Sequence, residues 1–341
     1  MLPQSIPAPG AVSFDLTQWL ASLGLEFFGQ WNLPIRFSAI AVVVAIVVAL
    51  WLTSRRLTKR GAEPGIVVDL AIWAVPLGYI GARLWFVLEH PSVYFDGSAF
   101  PGALFAVWDG GYTFTGGLIG GAIGALIGSR LSGIRFWSFA DALAPALLVG
   151  QAIGRVGDYF DLLRFGVPTT LPWGLEVPAT TPGFPAGLAD GTLFQPVFLY
   201  EIVWDLVGAA LLVLVARRFA LQWGKVWGLY LIWFGLGRWW MGGLRIDVGP
   251  LLAGVRLEVW AGWLAIVLGL VVLVVQARRH PGVETGPYRP GAEWAGPAGV
   301  ESTDTYSDDE LEGEDAPELA ENEAVEPSAT SEIGAKSPSA R

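Results

Sequence analysis

The chain has no cysteine in 341 residues, and only two histidines and two methionines. The missing thiol excludes a disulfide, a thiolate metal site and a cysteine nucleophile in this chain. With His90 and His280 as the only imidazoles, a histidine-ligated metal centre is not expected, and no cofactor is assigned. Charge is also sparse. Asp, Glu, Lys and Arg make up 15% of the residues, against about a quarter in soluble domains. Hydrophobic residues reach 53% and mean hydropathy is +0.51. This composition excludes a soluble globular fold and points to an all-α polytopic membrane protein.

The formal charge of −10 describes the two parts of the chain badly. Residues 282 to 341 hold 15 of the 31 acids and 3 of the 21 basic residues, which leaves 18 Lys and Arg against 16 Asp and Glu before them. The membrane part is therefore slightly basic, a balance that suits an anionic lipid substrate. The segment 281 to 341 is rich in Pro, Gly, Glu, Asp and Ser with hardly any aliphatics. It cannot bury enough apolar area to offset its ordering entropy and is expected to be a disordered, solubilising tail. Residues 1 to 34 carry Pro3, Pro7, Pro9 and Pro34 without a basic n-region, so an exposed arm is expected there and no cleavable signal.

Between these ends, apolar segments at 35 to 54, 66 to 88, 112 to 131, 136 to 156, 196 to 216, 226 to 244 and 258 to 277 predict seven transmembrane helices. The third is rich in glycine, and the fourth is interrupted by Asp141 and Pro145. Arg55, Arg56, Lys59 and Arg60 follow span one, Arg130 and Arg135 span three, Arg217, Arg218 and Lys225 span five, and Arg278 and Arg279 span seven. The other loops keep Arg164, Arg245 and Arg256. By the positive-inside rule the N-terminus is outside, the C-terminus is cytoplasmic, and the long loop 159 to 195 is external.

Charged residues inside apolar spans are the strongest functional signal. Arg83, Arg155 and Arg238 each lie in the outward half of a span. Three guanidinium groups converging at one depth would bind a phospholipid phosphate bidentately. In GQAIGRVGDYFDLLRFG (150 to 166), Asp158 and Asp161 follow Arg155 by three and six residues, one face of a continuing helix. Asp158, Asp161, Glu201 and Asp247 are the candidate counter-charges, acting on substrate or simply neutralising the arginines. Arg155 itself has a bland alternative, snorkelling to the headgroups. The glycine row of span three reads mainly as helix packing. Gly116 and Gly117 next to Tyr112 to Thr115 also offer backbone amides that suit an oxyanion.

Five ordered blocks then carry a resemblance: GYIGARLWFVLEHP (78 to 91), WDGGYTFTGGLIGG (108 to 121), the Arg155 stretch, FQPVFLYE (194 to 201) and GRWWMGGLRID (237 to 247). Together they resemble the bacterial prolipoprotein diacylglyceryl transferases over roughly residues 32 to 277. The resemblance implies a seven-helix inner-membrane (cytoplasmic-membrane) enzyme of lipoprotein biosynthesis, with its transferase domain at 35 to 280. Such an enzyme moves diacylglycerol from phosphatidylglycerol to the lipobox cysteine thiol of preprolipoproteins and releases glycerol phosphate. Its implied partners are phosphatidylglycerol, signal peptides with a lipobox and the surrounding lipids, with no nucleic acid.

By the same resemblance Arg155 and Arg238 match the phosphate-site arginines, and Asp158 and Glu201 are expected to orient them or the substrate. Arg83, Thr115, Gly116 and Gly117 are expected to contribute to the lipid site, as are Gly157, Gly166 and Arg245. The cavity is expected between spans two, four, five and six.

The family pattern is broken at several of these places. Asp158 and Asp161 stand where Asn is usual, Leu163 and Gly242 where Glu is usual, and Gln195 where His is common. Ser38, Thr115 and Glu258 replace a Tyr, a His and an Asn. Three readings follow: a divergent working transferase, an impaired paralogue that binds phosphatidylglycerol or lipoprotein signal peptides, and a transporter that shares only the helix arrangement.

Overall fold

The computed structural model describes residues 5–27, 34–95, 103–105, 111–162, 164–246 and 251–292. Leu163, Asp247 and the acidic block from 293 onward, on which expectations above fall, lie outside the described residues. The described helices are α1 (Leu16–Ser22), α2 (Phe37–Thr58), α3 (Ile66–Glu89), α4 (Pro91–Phe95), α5 (Phe114–Leu131), α6 (Phe136–Asp161), α7 (Val197–Arg218), α8 (Lys225–Gly242) and α9 (Leu257–Arg279). Three antiparallel pairs of very short strands accompany them: β1 (Ser13–Asp15) with β2 (Pro34–Arg36), β3 (Leu175–Glu176) with β4 (Leu193–Phe194), and β5 (Leu251–Leu252) with β6 (Val255–Arg256).

Each expected span coincides with one long helix. Five of them, α2, α3, α6, α7 and α9, are long and apolar enough to cross a membrane. Of the two interrupted segments, α6 qualifies despite Asp141 and Pro145, while glycine-rich α5 is not among the five. The other remaining helix, α8, carries Lys225 and Arg238; like α5 it has 18 residues, about 27 Å of rise. The β-branched run of α2 adopts a helix because a segment in hydrocarbon must satisfy its backbone groups internally.

α6 is the axis of the bundle. Within its most apolar window 61% of the residues are buried, against 17% for α2 and for α9, so α6 faces protein on nearly all sides. Ala142, Ala144, Ala146, Gly150 and Ala152 along it are buried, and α2, α7 and α8 pack on them. At Gly150 an added Cβ would stand 3.2 Å from the Ala45 carbonyl oxygen of α2. The glycine row of α5 packs on α3, where a Cβ at Gly81 would come 2.5 Å from the Gly116 carbonyl. The packing reading of that row therefore holds. α8 and α9 meet in the same way, through Gly228, Gly235, Gly262 and Gly269.

The chain beyond α9 corrects one expectation. Residues 281 to 292, expected to begin the disordered tail, form a strap across the helix ends. His280 stacks on Trp223 at 4.1 Å, and the Glu284 carboxylate accepts from the Trp223 amide (2.9 Å) and the Ser138 hydroxyl (2.6 Å). The Arg135 amide donates to the Pro287 carbonyl, the Arg289 amide to the Gly133 carbonyl, and the Glu63 amide to the Tyr288 hydroxyl. Helix ends leave backbone groups without intrahelical partners, and these dozen residues supply them. A composition averaged over sixty residues hides that.

At the same end Asp141, fully buried, accepts from the Gly224 amide (2.8 Å) and the Trp227 amide (3.0 Å) and so caps α8 from α6. Asp141→Ala would strand two buried donors, at about 1–3 kcal/mol each. A thermal midpoint lowered by several degrees is the expected result, with Asp141→Asn losing less; an unchanged midpoint for Asp141→Ala would contradict the capping role.

The opposite end carries the long loop, which is folded into a cap. Phe165, Leu175, Val177, Phe194 and Phe198 form its own core, with Ile6 packed against them. The N-terminal arm, expected to be exposed, joins this cap. The Ile6 amide donates to the Gly174 carbonyl, the Glu176 amide donates to the Ile6 carbonyl, and the Tyr159 hydroxyl donates to the Pro7 carbonyl. The open edge of β3 takes the arm as a partner, because its backbone groups otherwise lack one.

Candidate functional site

Three helices end or begin beneath this cap, and each brings one charged group. Arg155 lies six residues before the end of α6, Glu201 in the second turn of α7, and Arg238 four residues before the end of α8. The Glu201 carboxylate joins the two arginines: Oε2 is 2.7 Å from Arg155 Nε, and Oε1 is 3.7 Å from Arg238 Nη1. Arg155 Nη1 also donates to Asp158 Oδ2 at 2.8 Å, one helical turn on. Asp158 in turn lies 3.6 Å from Arg164 Nη1. Five alternating charges thus run from Arg164 through Asp158, Arg155 and Glu201 to Arg238.

Beside them is a cavity of about 20 Å³, with Gln151, Arg155, Glu201, Asp205 and Arg238 as its polar wall. Trp204, Phe234 and Met241 close its apolar side. It holds about one water, so a lipid phosphate needs Glu201 to yield part of its hold on the arginines. Such an exchange of one anion for another on guanidinium groups is chemically balanced. The Gln151 amide donates to the Tyr230 hydroxyl at 2.7 Å, and Trp204 and Trp233 stack at 4.2 Å. Every wall residue belongs to α6, α7 or α8, which are spans four, five and six. The expected contribution of span two is absent from this wall.

Of the three arginines expected to converge, two do. Arg83 instead donates to the carbonyls of Leu104 (3.2 Å) and Gly111 (3.2 Å), and its guanidinium lies 5.4 Å from the Tyr94 ring and 5.9 Å from the Tyr112 ring. It ties Leu104 and Gly111 to α3. Depth along a span, which sequence supplies, leaves open which way around the helix a side chain faces. Asp161 shares the end of α6 with Asp158, and its Oδ1 is buried without a hydrogen-bond partner among the described residues.

The remaining candidates lie outside this cavity wall. Gly116 meets Gly81 and Trp85 of α3, while the Gly117 amide donates to the Thr113 carbonyl at 3.1 Å, next to half-buried Thr115. A Cβ at Gly157 would come 2.9 Å from Ser38 Cα, so α2 crosses α6 there. Gly166 bridges to Arg245, and its amide donates to the Gln195 carbonyl at 2.9 Å, joining the cap to the end of α8. Arg245 forms an ion pair with Glu258 at 2.7 Å. At Gly242 an added Cβ would meet Val259 at 3.2 Å.

Asp205 escaped the sequence reading. It is buried in the cavity wall one turn below Glu201. The signal was present as two carboxylates four apart inside an apolar helix, the spacing of one helical face.

A family model described as prolipoprotein diacylglyceryl transferase matches residues 26–275. The chain is 50% identical over 321 residues to a phosphatidylglycerol–prolipoprotein diacylglyceryl transferase of Leifsonia xyli subsp. xyli, covering 91% of this chain and 92% of the relative. One of two so named in Streptomyces coelicolor is 40% identical over 252 residues, 74% of this chain and 79% of that one. That of Paenarthrobacter aurescens is 39% identical over 262 residues, 74% and 82% respectively.

Proposed function

The chain belongs to the prolipoprotein diacylglyceryl transferase family, and from that premise we propose that it transfers diacylglycerol from phosphatidylglycerol to the lipobox cysteine of preprolipoproteins. The observation that carries this reading is the pair Arg155 and Arg238, with side chains 11% and 12% exposed, joined by Glu201. In the reaction the substrate thiolate attacks the glyceryl carbon that bears the phosphate ester. A carbon–sulfur bond forms, the carbon–oxygen bond breaks, and glycerol phosphate departs with the bonding electrons. Negative charge grows on the departing oxygen, and two fixed guanidinium groups stabilise it more in the transition state than before. The thiol proton passes to a carboxylate of the cavity, for which Glu201 and Asp205 are placed. A thiol near pKa ~8.5 needs only modest help to ionise.

The seven long helices are the seven spans in this reading, with the N-terminus outside, the strap at the cytoplasmic face and the folded cap outside. The site then opens to the external side of the inner membrane, where the lipobox of an exported precursor arrives. The altered motif positions support a working enzyme over an impaired one, because two of the added carboxylates are paired: Asp158 with Arg155 and Arg164, Glu258 with Arg245.

The test is mass spectrometry of a lipobox peptide incubated with phosphatidylglycerol and the purified protein. A diacylglyceryl mass increment is expected. Its absence, from protein that still binds phosphatidylglycerol, would replace the transferase by a lipid-binding paralogue.

A further inference from the structure

The ion-pair network is graded as well as alternating. Side-chain exposure rises from 8% at Glu201, through 11% at Arg155 and 12% at Arg238, to 23% at Asp158 and 33% at Arg164. Contact lengths divide the network differently, with Arg238 also meeting Glu201 at a longer 3.7 Å. Arg155 holds Glu201 and Asp158 at 2.7 and 2.8 Å, whereas Arg164 meets Asp158 at 3.6 Å. Arg164 is therefore the most exposed cation of the network, and its contact with Asp158 is a long one.

Described residues near it in the chain are held in place. α6 ends at Leu162 in a left-handed conformation (φ 48°), Phe165 is 2% exposed, and Gly166 is pinned to Gln195 and Arg245. A guanidinium whose one ion pair among the described residues is a 3.6 Å contact, with a third of its side chain exposed, is placed to receive an anion arriving from outside.

We propose that Arg164 is a specificity-determining residue that captures the phosphodiester of phosphatidylglycerol at the mouth of the site. In doing so it exchanges Asp158 for the phosphate, while Arg155 keeps Asp158 in place. The proposal rests on the transferase reading for its substrate but not for its binding test. It gives Asp158 a second role, as the resting acceptor that keeps Arg164 turned toward the cavity.

The experiment uses full-length, lipid-depleted protein in detergent as wild type, Arg164→Gln, Asp158→Asn and the double variant. Phosphatidylglycerol and diacylglycerol are titrated by native mass spectrometry, and initial transfer rates are measured over phosphatidylglycerol concentration. Arg164→Gln is expected to weaken phosphatidylglycerol binding and raise KM about tenfold, the scale of one charge-assisted hydrogen bond. Diacylglycerol binding should stay the same and kcat fall less than twofold.

The double variant should bind phosphatidylglycerol as weakly as Arg164→Gln. Recovery of wild-type affinity in the double variant would overturn the proposal, since Arg164 would then only neutralise Asp158. Equal loss of both lipids would overturn it too, as a packing defect. If the wild type transfers nothing yet binds phosphatidylglycerol tenfold more tightly than Arg164→Gln, the transferase reading fails and the capture role stands.

Discussion

Arg155→Ala is expected to lower the initial rate of diacylglyceryl transfer about a thousandfold, the upper range for losing one fixed donor to a transition-state anion. The expectation exceeds that of a simple charge deletion because Arg155 serves two acids at once, Glu201 at 2.7 Å and Asp158 at 2.8 Å. Without it the 8%-exposed Glu201 side chain keeps Arg238 alone, at 3.7 Å. Two carboxylates then face the place where a phosphate must bind, and the net charge of the five-member network falls from +1 to zero. Removing one member of a buried ion network costs about 3–5 kcal/mol, so the variant should also melt at a lower temperature while still inserting in the membrane. Arg155→Lys separates the two effects. An ammonium group restores the charge but lacks the planar fork that reaches two partners. It should recover stability better than rate. Wild-type transfer by a folded Arg155→Ala protein would remove Arg155 from the site.

Gly120→Ala should be the most damaging single-methyl change in the bundle. The new Cβ would overlap the Leu77 carbonyl of α3, and Gly124 and Gly116 meet the carbonyls of Trp73 and Gly81 in the same row. Backbone carbonyls cannot rotate aside, so α3 and α5 must separate along their whole contact. Overpacking of this kind costs about 1–3 kcal/mol, and a bulkier Gly120→Val should leave little folded protein. The matched control is Gly121→Ala on the same helix, where the nearest atom is the Ala74 carbonyl oxygen at 3.7 Å, ordinary contact distance. Thermal scanning in detergent should show a drop for Gly120→Ala and none for Gly121→Ala. Equal midpoints would mean that the two helices are not held by this row.

Gly116 and Gly117 show how one motif read from sequence divides in the fold. Both sit beside Tyr112 to Thr115, and both suit an oxyanion by spacing alone. Gly116 is pressed against α3, whereas a Cβ at Gly117 would have only Ala82 and Gly78 near it, at 3.6 and 3.7 Å. The altered family positions divide similarly. Glu258 and Asp158 read as losses when compared with the family pattern, yet each has an arginine across a helix junction. Asp158 meets arginines three and six residues away, whereas Arg245 and Glu258 are 13 residues apart and only packing brings them together.

What the sequence determined by itself is one-dimensional. Hydrocarbon thickness sets the length of an apolar run, so the positions of the seven long helices were legible, and with them the depth of Arg155, Glu201 and Arg238. The rarity of charge in such runs marked those residues as functional. Tertiary structure decided everything that depends on rotation about a helix axis and on which helix neighbours which. It turned Arg83 toward the carbonyls of Leu104 and Gly111 rather than the cavity, and set Asp205 beneath Glu201. It also tied Arg164 to Asp158 and folded residues 281 to 292 over the helix ends. Lipid and protein neighbours are equally apolar along a span, so hydropathy cannot separate the two sides of a helix. Close packing of glycine and alanine against backbone does.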